Sequence, residues 1–287
     1  MTPDADLRTA VRAAAARLAA SGVASAEADA VALAAHALGT TPGDVRKAMV
    51  LGAPAPAAYD ALVDERAARV PLQHLTGRAG FRRLELSVGP GVFVPRPETE
   101  VVAGLVIAAA LDAGPAPVVV DLCTGSGAIA LAVADEVPAA QVYAVELGAD
   151  AHAWAARNVA STGLGVELVH GDATSPEVLA ELDGAVDVVV SNPPYIPVGM
   201  VPLDPEVRDH DPELALYGGS DDGLRVPLAV AARAAALLRA GGVLVMEHAD
   251  TQGESLPAAL GRTGSWRDVA DHADLTGRPR ATMATRT

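Results

Sequence analysis

From residue 117 onward the chain repeats one pattern: a short valine-rich run, a turn, then a helical stretch. Val118-Val119-Val120 precedes a helical pattern over 127–136, Gln141 to Val145 precedes one over 149–161, and Val166 to Val169 precedes one over 175–182. Val186 to Val190 and Val243 to Met246 flank another over 224–239. Strands joined by helices of this length lie parallel, because a parallel crossover needs a dozen or more residues and the helix covers a sheet face. The spacing predicts an α/β fold, a doubly wound Rossmann-like sheet. The tail from about Ser265 to Thr285 adds a closing hairpin.

The sequence before residue 98 differs. Leu7, Val11, Ala14 and Leu18 recur at helical spacing until Ser21-Gly22 stops the pattern. Ser25 can cap a second helix through Leu38, Thr41-Pro42 can open a third to about Val50, and a fourth runs from about Ala57 to Val70, before Pro71. Residues 1–75 therefore read as a small helical bundle. Residues 76–97 carry Gly77, Gly80, Gly89 and Gly91 between alternating runs, Leu84 to Val88 and Val92 to Val94, and read as a β-hairpin linker. Residues 98–287 form the sheet domain, entered by an apolar helix that ends near Ala113.

Charge and composition exclude several classes of function. The net charge of −15 disfavours a protein that grips nucleic-acid phosphates, since that needs a basic surface. The single cysteine, Cys123, rules out an intrachain disulfide, and the seven histidines form no metal motif, so no metal is expected. The opening Met1-Thr2-Pro3-Asp4-Ala5-Asp6 lacks the layout of a signal peptide, and the longest apolar stretch, Val101 to Leu111, is too short to span a bilayer. A cytoplasmic chain without a membrane role is expected.

Two segments carry chemistry. The first is Asp121-Leu122-Cys123-Thr124-Gly125-Ser126-Gly127, a turn that follows the first parallel strand and opens a helix. Gly125 and Gly127 allow a sharp turn and close approach of a nucleotide-like ligand. A dinucleotide fits poorly: Ala130 stands where G-x-G-x-x-G would place its last glycine, and Asp121 would repel a pyrophosphate. S-adenosyl-L-methionine has a cationic sulfonium and no phosphate, so acids beside the turn suit it. Glu146, ending the second strand, can accept both ribose hydroxyls, or is simply a solvated strand end. Asp172 can meet the adenine amino group, or caps a turn. The candidate cofactor residues are Asp121, Cys123, Thr124, Gly125, Ser126, Gly127, Glu146, Asp172 and Asn192.

The second segment is Ser191-Asn192-Pro193-Pro194-Tyr195, directly after the fourth strand. Two prolines there stop the chain from continuing in the sheet. Asn192 offers a side-chain oxygen and Pro193 a backbone oxygen to a substrate NH2 group, while Tyr195 offers a flat face to a planar group. An amide nitrogen is a poor nucleophile because its lone pair is delocalised. Two acceptors on its hydrogens can turn that lone pair toward an electrophilic carbon and stabilise the positive charge that develops. Asn192, Pro193 and Tyr195 are the candidate catalytic residues, and Pro194 joins them in the candidate substrate site. Methyl transfer needs no covalent step, so Cys123 reads as a small loop residue and not as a nucleophile.

With these segments in place the chain resembles the bacterial release factor glutamine methyltransferases. Besides both turns, Pro71-Leu72-Gln73-His74-Leu75-Thr76-Gly77, Phe93-Val94-Pro95-Arg96-Pro97-Glu98-Thr99-Glu100, Asp211-Pro212-Glu213-Leu214-Ala215-Leu216 and Asp274 to Arg280 resemble the family's segments. The resemblance implies a class I methyltransferase sheet with a small N-terminal helical domain that docks substrate. It implies methylation of the glutamine in the Gly-Gly-Gln motif of class 1 peptide-chain release factors, in translation termination, by an enzyme acting as a monomer. Two positions depart from the family. Cys123 stands where glycine is common, which implies a backbone angle that is not restricted to glycine, and Ala173 stands where an aromatic can pack on adenine. Alternatives that share the chemistry are a glutamine methyltransferase of a ribosomal protein and a nucleic-acid adenine N6 methyltransferase; an inactive scaffold is a third. Pro197, Pro202, Pro205 and Pro212 further predict a stiff substrate-facing flap over 197–216.

Overall fold

The computed structural model describes residues 6–287; the first five residues of the acidic opening lie outside it. The chain divides into two compact units. One takes in the chain as far as Arg78 and returns for Pro202–His210; the other comprises Ala79–Val201 and Asp211–Thr287.

The first unit is helical. It holds α1 (Leu7–Ala20), α2 (Ala26–Leu38), α3 (Pro42–Val50), α4 (Tyr59–Ala67) and the short α5 (Leu72–Thr76). Side chains cap two of the starts: Asp6 accepts from the N–H groups of Arg8 and Thr9, and Thr41 accepts from Asp44 with Pro42 in the first turn. Leu7, Leu18, Leu33, Val45 and Tyr59 fill the interior, and the Tyr59 hydroxyl donates to the Ala30 carbonyl at 2.8 Å. Helix α4 is shorter than its apolar pattern predicts. Arg69 adopts a left-handed φ of +70°, which ends the helix ahead of Pro71.

The second unit is built on a seven-stranded sheet. From Ala79 onward, a hairpin of β1 (Arg78–Phe81) and β2 (Leu84–Ser87) belongs to this unit, followed by α6 (Thr99–Ala113). The alternating residues 92–94 form no strand. Pro90, Pro95 and Pro97 break the ladder around them, although Val92 and Val94 are fully buried. The sheet and its crossovers then run β3 (Val118–Leu122), α7 (Ala128–Glu136), β4 (Gln141–Glu146), α8 (Ala149–Thr162), β5 (Val166–His170) and β6 (Val186–Ser191). They continue through α9 (Pro205–His210), α10 (Arg225–Leu237), β7 (Leu238–Glu247), α11 (Ser255–Gly261), β8 (Trp266–Ala273) and β9 (Pro279–Arg286), with α9 falling in the helical unit.

Spatial strand order is β5-β4-β3-β6-β7-β9-β8. The first five strands are parallel, and β9 runs antiparallel to both β7 and β8. Buried valines from both faces of β3 and β6 enter the two halves of the core, and α7 lies so close that Ala128 to Ala134 are all buried. Residues 175–182 are not the crossover helix their apolar spacing suggests. Leu179 takes a left-handed φ of +54°, and only a single tight turn, Ala180–Leu182, forms.

The stretch 197–216, expected as one flap, is divided between the units. Its middle, with α9, packs on the helical unit through charge. The buried Arg66 guanidinium bonds Asp29 at 2.8 Å and Glu206 at 2.7 Å, and Arg69 reaches Glu206 and Asp204. Its end is fixed to the sheet unit, where Arg96 bonds the buried Asp211 carboxylate at 2.6 Å while lying over the Phe93 ring. No described helix is long and apolar enough to cross a membrane.

Candidate active site

The two turns singled out by the sequence leave neighbouring strands. Leu122 of β3 and Ser191 of β6 are register partners, and the Ser191 hydroxyl donates to the Leu122 carbonyl at 2.6 Å. Cys123 and Asn192, the next residues, therefore emerge side by side at the carboxyl edge. Strand order reverses between β3 and β6, with β4 and β5 on one side and β7 on the other. That reversal opens the crevice in which doubly wound sheets bind ligands.

The glycine turn is braced by its own acids. Asp121 is buried; its Oδ2 accepts from the Thr124 hydroxyl at 2.6 Å and from the Ala130 N–H at 3.2 Å. Its Oδ1 is buried with no protein partner. Burial, more than the nearby Glu146 charge, pushes the Asp121 carboxyl up to about 7. Glu146 grips the turn from the next strand, with Oε2 accepting from the Gly125 N–H at 2.8 Å and Oε1 from the Gly148 N–H at 2.7 Å. Burial raises this carboxyl too, against those backbone donors. Gly125 and Gly127 have φ of +60° and +84°, and a Cβ on Gly125 would meet open space.

Cys123 sharpens an expectation: the angle is not restricted to glycine, but it is one that glycine adopts most easily. Its φ is +68°, so the position does take the left-handed angle that favours glycine, and this side chain tolerates it at a cost of about 1–2 kcal/mol. Burial raises the thiol far above its ordinary value, which keeps it un-ionised and a poor nucleophile.

The remaining candidates are less directly poised. The Thr124 hydroxyl points inward to Asp121. Ser126 is buried, and its carbonyl accepts from Asn158 at 2.9 Å. Asp172 is exposed beyond β5, with Oδ1 accepting from the Thr174 N–H and hydroxyl in a turn, and Ala173 is buried beside it. Among the described residues no His, Cys, Asp and Glu group is arranged to hold a metal ion.

The proline loop is braced from outside. The Ile196 N–H donates to the Leu216 carbonyl at 2.8 Å, and the Gly218 N–H donates to the Ile196 carbonyl at 2.9 Å. The Gln252 side chain donates to the Tyr195 carbonyl at 3.0 Å and the Asp222 carbonyl at 2.9 Å. Gly223 lies so close that a Cβ there would sit 2.0 Å from the Tyr195 carbonyl oxygen. Pro193 is buried, while Asn192, Pro194 and Tyr195 stay half-buried at the edge. Burial and the neighbouring Glu247 push the Tyr195 phenol well above its ordinary range, so it remains neutral.

Known proteins place this geometry in a lineage. Residues 9–77 match the family described as the PrmC N-terminal domain, and residues 84–200 match the methyltransferase small domain. A release factor glutamine methyltransferase from Streptomyces coelicolor is 53% identical over 93% of this chain and 94% of its own length. The chain belongs to the release factor glutamine methyltransferase family. A second family member, from Mycolicibacterium smegmatis, is 51% identical over 98% of both chains. Among solved structures, the 16S rRNA N2 G1207 methyltransferase of T. thermophilus, in complex with AdoMet and guanosine, shares the fold with a TM-score of 0.50. It is 23% identical, over 73% of this chain and 50% of that one.

In this family member three supporting residues escaped the sequence reading. Asn158 is fully buried on α8, its amide bonding both backbone groups of Ser87 as well as Ser126. Its spacing from Ala151 and Ala155 along one helix face was a usable signal. Glu247 is a charged residue ending an apolar strand, also visible in principle. Gln252 follows β7 in a loop with no local pattern to mark it.

Proposed function

We infer that this protein transfers a methyl group from S-adenosyl-L-methionine to the side-chain amide nitrogen of a glutamine in a peptide-chain release factor. Membership of the family supports the reaction. The structural observation that carries it is the shared register of Leu122 and Ser191, which sets the glycine turn beside Asn192.

The chain's residues fit the donor. S-adenosyl-L-methionine, when bound, supplies an electrophilic methyl carbon on a cationic sulfur. The buried and unpartnered Asp121 Oδ1 suits an ammonium or other cationic group. Each Glu146 oxygen holds one backbone N–H and keeps a second lone pair for a hydroxyl. The open space over Gly125 admits a ligand against the backbone. We assign Asp121, Cys123, Thr124, Gly125, Ser126, Gly127, Glu146 and Asp172 to the donor site in this way, with Thr124 and Ser126 acting through the shape of the turn.

On the acceptor side, the Asn192 side-chain oxygen and the Pro193 carbonyl take the two amide hydrogens. Their grip rotates the nitrogen lone pair out of the amide plane and toward the methyl carbon. Both acceptors also offset the positive charge that grows on nitrogen. Tyr195 and Pro194 flank the planar amide, and Tyr195 stays neutral throughout. Because the loop is clamped before substrate arrives, little reorganisation is needed at the moment of transfer.

The substrate we propose is the glutamine of the Gly-Gly-Gln motif in class 1 release factors. Docking is assigned to the helical unit, where Val50 and Leu51 at the end of α3 are strongly exposed. The reaction belongs to the cytoplasm, with a single chain as the working enzyme. The net charge of −15 favours a protein acceptor over nucleic acid. Incubation with isotope-labelled donor and, separately, release factor, ribosomal protein and nucleic acid tests this. Mass spectrometry should place the label on the Gly-Gly-Gln glutamine alone; label on adenine or on ribosomal protein instead would overturn the substrate.

A further inference from the structure

Two polar side chains near the proline loop are deeply buried. Glu247 ends β7 and is 1% exposed, and Thr99 opens α6 and is 4% exposed; the hydroxyls of Thr99 and of Tyr195, in the proline loop, face the Glu247 carboxyl. A carboxyl buried this deeply is costly to keep, so one that a fold holds against a residue of the acceptor loop points to a role there. Their place is informative. Met246 of β7 pairs in register with Ser191 of β6, so Glu247 leaves the sheet beside Asn192. Thr99 lies in the stretch Pro95 to Glu100, whose chemistry the donor and acceptor sites leave unexplained.

We propose that Glu247, supported by Thr99, takes the proton that the substrate nitrogen sheds when it is methylated. This rests on the reading of the reaction as amide N-methylation. In that step the nitrogen lone pair forms the new N–C bond. The C–S bond breaks and its electron pair goes to sulfur. The N–H bond then breaks, its electrons return to nitrogen, and the proton passes to the Glu247 carboxylate, from which it exchanges with water after product leaves. A docked protein substrate restricts access of water, so an acceptor within the site removes the need for a diffusing one.

The surroundings of Glu247 tune it for this. Burial raises its carboxyl to about 7; Glu98 raises it further, while the hydroxyls of Thr99 and Tyr195 and the Arg280 charge hold it down. Arg280 on β9 is itself paired with Asp274 at 3.2 Å, Arg96 with Asp211, and His248 with Asp271 at 3.0 Å. The group therefore switches between acid and base near neutral pH, where proton transfer in both directions is easiest.

The test compares wild type with Glu247→Gln, using full-length protein, labelled donor and release factor under single-turnover conditions from pH 5.5 to 9. Wild type should lose rate as pH falls through about 7, because a protonated Glu247 accepts nothing. Glu247→Gln should lower the rate about a hundredfold and abolish that acidic limb, with donor affinity unchanged. Infrared difference titration of the protein alone should show a carboxylic-acid band, titrating near neutrality, that Glu247→Gln removes. Thr99→Val provides a second handle: losing the hydroxyl should move the acidic limb to higher pH. A Glu247→Gln rate within threefold of wild type with the limb intact, or a limb that Thr99→Val leaves in place, overturns the assignment. A wild type that puts no methyl on the glutamine overturns the underlying reaction, and the assignment with it.

Discussion

The glycine turn and the proline loop leave neighbouring strands at the same edge of one sheet, yet they are held in different ways. The glycine turn is shaped by charge from within. Asp121 and Glu146 spend lone pairs on Thr124, Ala130, Gly125 and Gly148, and both carboxyls are buried at an energetic cost. The proline loop is shaped by steric fit from without, against Gly223, the Gln252 amide and the pairing of Ile196 with Tyr217. A donor that carries positive charge can relieve the strain of buried acids when it binds. A neutral amide offers no such relief, so its site has to be rigid beforehand. On the proposed reading, the turn that takes the cationic donor is braced by its own buried acids, whereas the loop that orients the neutral group is braced by fit, with the buried Glu247 facing Tyr195 and taking no part in shaping the backbone.

That contrast can be broken most sharply at Gly223. Gly223→Ala places a Cβ into the Tyr195 carbonyl at a residue whose φ is already +73°. Displacing the loop by about 1 Å should lower methyl transfer a hundredfold or more. Donor affinity, measured by calorimetry, should stay within about twofold. Loss of donor binding instead would mean that the two turns are not held independently.

A smaller effect is expected at Asp121. Its folded-state carboxyl is raised, so ionisation opposes folding, and stability should fall as pH rises from the ordinary carboxylate range through about 7. Asp121→Asn removes that cost. The donor-free variant should melt a few degrees above wild type at pH 8, with the advantage shrinking at pH 5, while donor affinity drops about tenfold. A variant that melts lower at pH 8 would show that the buried charge supports the turn instead of straining it.

Much of this was legible in the sequence. Valine runs separated by helical patterns fix a parallel sheet because burial on both faces demands continuous apolar strands. Proline pairs and glycine pairs mark their turns through backbone geometry alone. What could not be read depends on contacts between distant segments. Gln252 meets Tyr195 across 57 positions of sequence, and Asn158 meets Ser87 across 71. The expected helix over 175–182 failed because a left-handed Leu179 overrides an apolar pattern, and the division of 197–216 between the two units, with Arg66 and Arg69 bonded to its middle, was not legible because those partners lie more than a hundred positions away. Cys123 shows the limit of reasoning from residue type: a non-glycine residue implies an angle not restricted to glycine, but does not reveal that the turn makes that angle left-handed.

The account stands on Asn192 lying next to the donor turn and touching the acceptor nitrogen. Asn192→Ala, assayed side by side for methyl transfer to release factor and for S-adenosyl-L-methionine binding, measures this directly. Transfer should fall by about a thousandfold with affinity close to wild type. Turnover at the wild-type rate would contradict the account, whatever the binding measurement gave.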